Sequence, residues 1–231
     1  FAVRSGTLLP QAITEDMTLT GDKIYIISDT TVIENGATVT VEAGARIQFW
    51  TADPEDTYAQ KGIAQLLVRG ELWIEGTAEK PVYIYPSDLM WNYSVEISGN
   101  VYMRYADVTN LISYIRTSNE TDVIQEAEHC TFRFNTPHLN SRGYTTSGGT
   151  TELTLYETKQ PVFLHAKDCV FENIKTSSIY RPTEYYACWW SGLYERCAFV
   201  DCSIIGRNSF FAKDCLFQGC DQSITIESFP S

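Results

Sequence analysis

The sequence predicts an all-β fold, a right-handed parallel β-helix (solenoid) with loop insertions. Three observations carry that prediction. Short strands of period two fill the first half, a Cys-x-Phe unit recurs through the second, and no long stretch holds the 3.6-residue period of an amphipathic helix. At 231 residues and 44% hydrophobic, the chain is long enough for one sizeable core.

The strands come first. Lys23-Ile24-Tyr25-Ile26-Ile27, Thr38-Val39-Thr40-Val41, Gln65-Leu66-Leu67-Val68, Glu71-Leu72-Trp73-Ile74 and Val82-Tyr83-Ile84-Tyr85 are short, rich in β-branched and aromatic residues, and bounded by turn residues. Alternation puts Val39 with Val41, and Leu72 with Ile74, on one side of the strand. The best helical segment is the short one from Thr121 to Glu128. Residues 1–19 are read as an N-terminal cap or leader and 20–231 as the β-helix. Near the C-terminus, Ser223-Ile224-Thr225-Ile226-Glu227-Ser228 reads as one more strand, whose edge would favour stacking on another molecule.

Repetition is the second line of argument. Gly36-Ala37-Thr38-Val39-Thr40-Val41-Glu42-Ala43-Gly44 returns in altered form as Gly70-Glu71-Leu72-Trp73-Ile74-Glu75-Gly76. Later, Ala127-Glu128-His129-Cys130-Thr131-Phe132 aligns with Ala166-Lys167-Asp168-Cys169-Val170-Phe171. It aligns again with Tyr194-Glu195-Arg196-Cys197-Ala198-Phe199 and Ala212-Lys213-Asp214-Cys215-Leu216-Phe217. Tyr105-Ala106-Asp107-Val108 fits as an earlier copy. Cys197 and Cys215 are 18 residues apart, about one short solenoid turn. The longer earlier gaps are read as loops. In stacked coils like residues lie about 4.8 Å apart and form ladders. A Cys130, Cys169, Cys197, Cys215 ladder should therefore run beside a Phe132, Phe171, Phe199, Phe217 ladder. Asn110, Asn173 and Asp201 suit left-handed turn positions. Glu126, Glu128, His129, Lys167, Asp168, Lys213 and Asp214 recur with the coil and read as an outward polar stripe.

The run from Gly36 to Tyr85, with its Gly-Ala-x-Val-x-Val-Glu-x-Gly and Glu-Gly-Thr-Ala-Glu-Lys-Pro-Val signatures, resembles secreted right-handed β-helix proteins of the pectate-lyase-like superfamily. The Cys-x-Phe units are similar to later coils of such proteins, and the resemblance covers residues 20 to 228. It implies the fold far more specifically than any activity. Enzymes of that kind hold calcium with carboxylates and remove a proton with a basic residue, or use clustered Asp as acid and base. This chain has no Asp-Asp pair, no His-Gly and no Arg-x-Lys run where those families carry them.

Charge narrows the partners. The net charge is −12, and Lys and Arg are scattered singly. Nucleic acid and anionic membrane surfaces need clustered positive charge and are disfavoured. No apolar run reaches the length of a membrane span. Cations, glycans, cell-surface proteins and other copies of the chain are the partners to consider. The first residue is Phe, which suits a processed or trimmed chain.

Candidate site residues fall mostly outside the repeats. Tyr185, Tyr186, Trp189, Trp190 and Tyr194 form an aromatic stretch suited to a protein contact or to stacking on sugar rings. Adjacent Trp189 and Trp190 cannot both point inward from a strand. Asp53, Glu55 and Asp56 form an acidic loop that suits a hard cation such as calcium, the one cofactor the sequence suggests. Cys202 and Cys220 make a second ladder, either buried thiols or a disulfide between neighbouring coils. Asn92 and Asn119 head glycosylation triplets. Residues 136–160 form a polar, glycine-rich insertion. The leading expectation is a non-catalytic extracellular or cell-surface protein with a structural, self-assembly or adhesion role. A carbohydrate-binding module using the aromatic stretch, and a polysaccharide lyase or glycoside hydrolase, are the alternatives.

Overall fold

The computed structural model describes residues 6–50, 64–87, 93–109, 111–115, 124–133, 143–147, 150–154, 165–174, 189–202, 205–220 and 225–227. They are all-β, with three sheets of stacked strands. The first sheet runs Thr7–Leu8, Ile24–Ile27, Arg46–Phe49, Val82–Pro86, Ala106–Thr109, Thr131–Arg133, Val170–Glu172, Ala198–Val200, Leu216–Gln218. The second runs Ala12–Ile13, Thr30–Ile33, Gln65–Val68, Tyr93–Ile97, Leu111–Ile115. The third runs Met17–Leu19, Thr38–Glu42, Glu71–Glu75, Asn100–Arg104, Gln125–Glu128, His165–Lys167, Trp189–Glu195, Ile205–Lys213, Thr225–Glu227. All pairings in these sheets are parallel. From Thr7 to Arg133 the chain visits the sheets in strict rotation, so each circuit stacks on the one before. Within residues 1–19, expected as a cap or leader, Thr7–Leu8, Ala12–Ile13 and Met17–Leu19 supply the first strand of each of the three sheets.

Alternation explains why these residues take these places. In Thr38–Glu42 and Glu71–Glu75, Val39, Val41, Leu72 and Ile74 point inward and are buried, while the residues between them face out. The inward side chains of all three sheets meet in one core. The segment Gln125–Glu128 follows the same rule, with Gln125 and Ala127 buried. It is a strand, not the helix that local propensity suggested, because both edges pair with neighbouring circuits.

The expected phenylalanine ladder is present and longer than its repeat. Tyr25, Ile47, Ile84, Val108, Phe132, Phe171, Phe199 and Phe217 stand in register on successive strands. The four phenyl rings stack at 5.2, 5.0 and 4.9 Å. Beside them, Cys130, Cys169 and Cys197 are buried and Cys215 partly so, all as free thiols. Each Sγ lies within reach of the carbonyl two residues earlier, at 3.3 to 3.5 Å. Cys202 and Cys220 are also free thiols, and Cys202 Sγ donates towards Phe171 O at 3.2 Å.

Corners fix the stacking. Between third and first sheets the turn is tight, and Tyr105, His129, Asp168, Arg196 and Asp214 each adopt positive φ there. Asn173 and Asp201 do the same after the first sheet, as expected of turn Asn and Asp; Asn110 lies outside the described residues. Between second and third sheets, Gly70 and Gly99 let the backbones touch: a Cβ on Gly99 would sit 2.0 Å from Gly70 O. The insertion at residues 136–160 contains an antiparallel hairpin, Gly143–Ser147 with Thr150–Thr154.

Candidate functional site

The outer face of the third sheet gathers most of the chemistry, because register sets distant residues side by side. Its central outward row reads Thr18, Thr40, Trp73, Tyr102, Glu126, His165, Leu193, Phe211. Trp73 and Tyr102 stack at 4.9 Å with planes 9° apart. The Trp73 Nε1–H donates to Glu71 Oε2 at 3.1 Å, and Asn100 Nδ2 donates to Glu71 Oε1 at 3.3 Å. A hydrogen bond to the Glu126 carboxylate raises the Tyr102 phenol above its ordinary value. The row therefore begins with two threonines, turns aromatic at Trp73 and Tyr102 and polar at Glu126 and His165, and ends apolar: Phe211 is 61% exposed.

The next outward row is a charge ladder. Glu75, Arg104, Glu128, Lys167, Glu195 and Lys213 stand in register with alternating sign. Glu128 accepts from Arg104 Nε at 3.2 Å and from Lys167 Nζ at 3.1 Å. Glu195 meets His165 Nε2 at 3.0 Å and Lys213 Nζ at 3.4 Å. At the corner beyond, His129 stacks on Tyr105 at 4.7 Å, and Asp168 takes both arms of the Arg196 guanidinium at 2.7 and 2.6 Å. Lys167 chiefly holds the Glu128 carboxyl below its usual range, Arg196 does so for Asp168, and His165 with Lys213 does so for Glu195. The polar stripe expected from the repeats is thus a ladder of ion pairs.

Glu128, His129 and Asp168 also offer donor atoms within 4.8 Å of one another, a set able to hold a borderline divalent ion. Both carboxylates already face cations, so an ion there would have to displace Lys167 or Arg196. The sequence placed these residues on the stripe without bringing them together, since 39 residues separate Asp168 from His129.

Tyr194 is a correction. Expected among the exposed aromatics, it is 0% exposed. It pairs with Ala166 and Ala212 on its two sides, and these small neighbours make room for its ring. The ring packs edge-on against Phe171 at 5.8 Å and Phe199 at 5.5 Å, and burial pushes its phenol pKa up. The alignment held the signal: Tyr194 occupies the slot of Ala127, Ala166 and Ala212. Trp189 and Trp190 are described by backbone alone, in a strand whose register shifts between Trp190 and Gly192. Tyr185, Tyr186, Asp53, Glu55, Asp56, Asn92 and Asn119 lie outside the described residues. Sequence reasoning missed the Trp73–Tyr102 pair, whose members belong to different circuits. Among the described residues no helix is long and apolar enough to cross a membrane.

Compared with protein-family models, curated proteins and solved structures, the chain matches none.

Proposed function

We propose that the chain is a right-handed parallel β-helix acting as a non-catalytic scaffold at the cell surface or outside the cell, with the outer face of its third sheet used for assembly or adhesion. The single observation that carries this reading is the central row of that face, where Trp73, Tyr102, Leu193 and Phe211 stand on a stack of parallel strands. Exposed Trp73 and Phe211, with half-buried Tyr102 and Leu193 beside them, form two apolar patches on a rigid sheet, separated by Glu126 and His165, and such patches suit a contact surface. The neighbouring carboxylates are poorly set up as general acids. Glu128, Asp168 and Glu195 are each held ionised by a cation, and a general acid needs the opposite shift.

Two measurements test the reading. Incubation with a panel of acidic and neutral polysaccharides, with and without calcium, should yield no products; released oligosaccharides would refute the non-catalytic part. Light scattering over a concentration series should show self-association, weakened in Phe211→Ser; a strict monomer at all concentrations counts against assembly.

A further inference from the structure

The outward aromatic residues of the first and third sheets differ in one respect. On the first sheet Tyr83 pairs with Arg46 of the preceding circuit, and the Arg46 guanidinium lies over the Tyr83 ring, 5.7 Å from its centre. The fold thus covers an outward ring with a cation from the circuit before it. On the third sheet Trp73 pairs with Thr40 of the preceding circuit. Tyr102 takes one face of the indole. The opposite face looks over Thr40, whose side chain is too short to cover it, and Trp73 remains 36% exposed.

The rim of this slot is acidic. Glu71 sits at one side, bonded to the indole N–H. Glu42 and Glu75 stand at the other side, in register with each other. Like charges opposite one another on a sheet face destabilise it. Neither forms an ion pair with a described residue: Arg104, in register with Glu75, is paired with Glu128, and Lys80 is paired with Asp22 at 3.1 Å. Glu42 Oε2 instead accepts the Gly21 N–H at 3.1 Å. Indole is the best ring for a cation–π contact, and a guanidinium adds planar stacking and several donors for carboxylates.

We propose that the slot over Thr40 receives an arginine side chain from a partner protein. The guanidinium lies on the free face of Trp73, as Arg46 lies on Tyr83, and its N–H groups face the Glu42 and Glu75 carboxylates. This rests on the reading of the third sheet as a contact face and names the chemistry of the partner.

A hexa-arginine peptide titrated calorimetrically into the whole chain tests the slot. Binding should weaken about tenfold in Trp73→Ala. It should weaken as much in Thr40→Arg, which fills the slot from within, while thermal unfolding shows that both variants remain folded. Glu75→Gln should weaken it less, and a hexa-citrulline peptide should not bind. Equal affinity for wild type, Trp73→Ala and Thr40→Arg would overturn the proposal and assign the binding to the general −12 charge. Tighter binding of a glucosamine hexamer than of the peptide, lost in Thr40→Arg, would also overturn it in favour of an amino sugar. Oligosaccharide release would refute the non-catalytic reading without touching this slot, and equal affinities would refute the slot without touching that reading.

Discussion

Between Ile24 and Thr109 the inner ladder of the first sheet is carried by Tyr25, Ile47, Ile84 and Val108; between Cys130 and Gln218 the same ladder is carried by phenyl rings. The opposite wall changes in step. The third sheet contributes Val41, Ile74 and Met103 in the early circuits but Ala127 and Ala166 in the later ones. Large faces small where Phe132 and Phe171 meet Ala127 and Ala166, whereas in the next circuit Tyr194 takes the alanine slot and fits by packing edge-on against Phe171 and Phe199. The corners change as well. Glycines in close backbone contact serve early corners such as Gly70, Gly76 and Gly99, while non-glycine residues at positive φ begin with Asp22 and Tyr105 and dominate the later corners, where Gly219 is the exception among the described residues. One register is built from two chemistries, an aliphatic ladder in the early circuits and a thiol and phenyl ladder in the later ones.

The largest effect expected from breaking this contrast is at an early corner. Gly99→Ala forces a Cβ against the Gly70 carbonyl, and denaturant unfolding should show a loss above about 4 kcal/mol or no folded protein. In the later circuits Phe171→Ala should cost about 3–5 kcal/mol, because its ring touches Phe132, Phe199 and Tyr194; the conservative early change Ile84→Val should cost about 0.5–1.5 kcal/mol.

The thiols give a pH signature confined to the later half. Burial pushes Cys202 from 9.0 up to about 12, and Cys215 upward for the same reason; for Cys169 a hydrogen bond with Cys130 is the largest cause. The folded state keeps these protons longer than the unfolded chain. Their contribution is thus whole below pH 9 and falls as pH rises towards 12. Unfolding midpoints measured from pH 8 to 11 should drop, and Cys202→Ala should flatten that drop. The smallest effect belongs to the ion-pair ladder. Lys167→Gln should cost no more than about 1 kcal/mol, shrinking as salt is added, since exposed pairs contribute little. With Glu128, Asp168 and Glu195 held below their usual range, the ladder's support is present above that range and lost as pH falls through the lowered values.

The strands were legible in the sequence because period two needs only local information. Ile24–Ile27, Thr38–Glu42, Gln65–Val68, Glu71–Glu75 and Val82–Pro86 fall where alternation put them. The Phe ladder was legible because its copies share a six-residue frame. The third sheet's outer face was not, since Trp73 meets Tyr102 and His165 meets Glu195 only through register between circuits. Tyr194 was misjudged because its aromatic neighbours outweighed its place in the repeat.

The turn from third to first sheet has one further consequence. In the last four circuits it spans two residues each time: Glu128 to Thr131, Lys167 to Val170, Glu195 to Ala198, Lys213 to Leu216. The return from first to third sheet varies freely, from Arg133 to His165, Glu172 to Trp189, and Val200 to Ile205. The molecule thus resembles a bound book, with one margin stitched and the other cut to any width. Foreign segments grafted on the free margin, after Arg133 or after the buried Ile174, should leave the stitching untouched, which would make this chain a frame for displaying inserted sequences at one-coil intervals of about 4.8 Å.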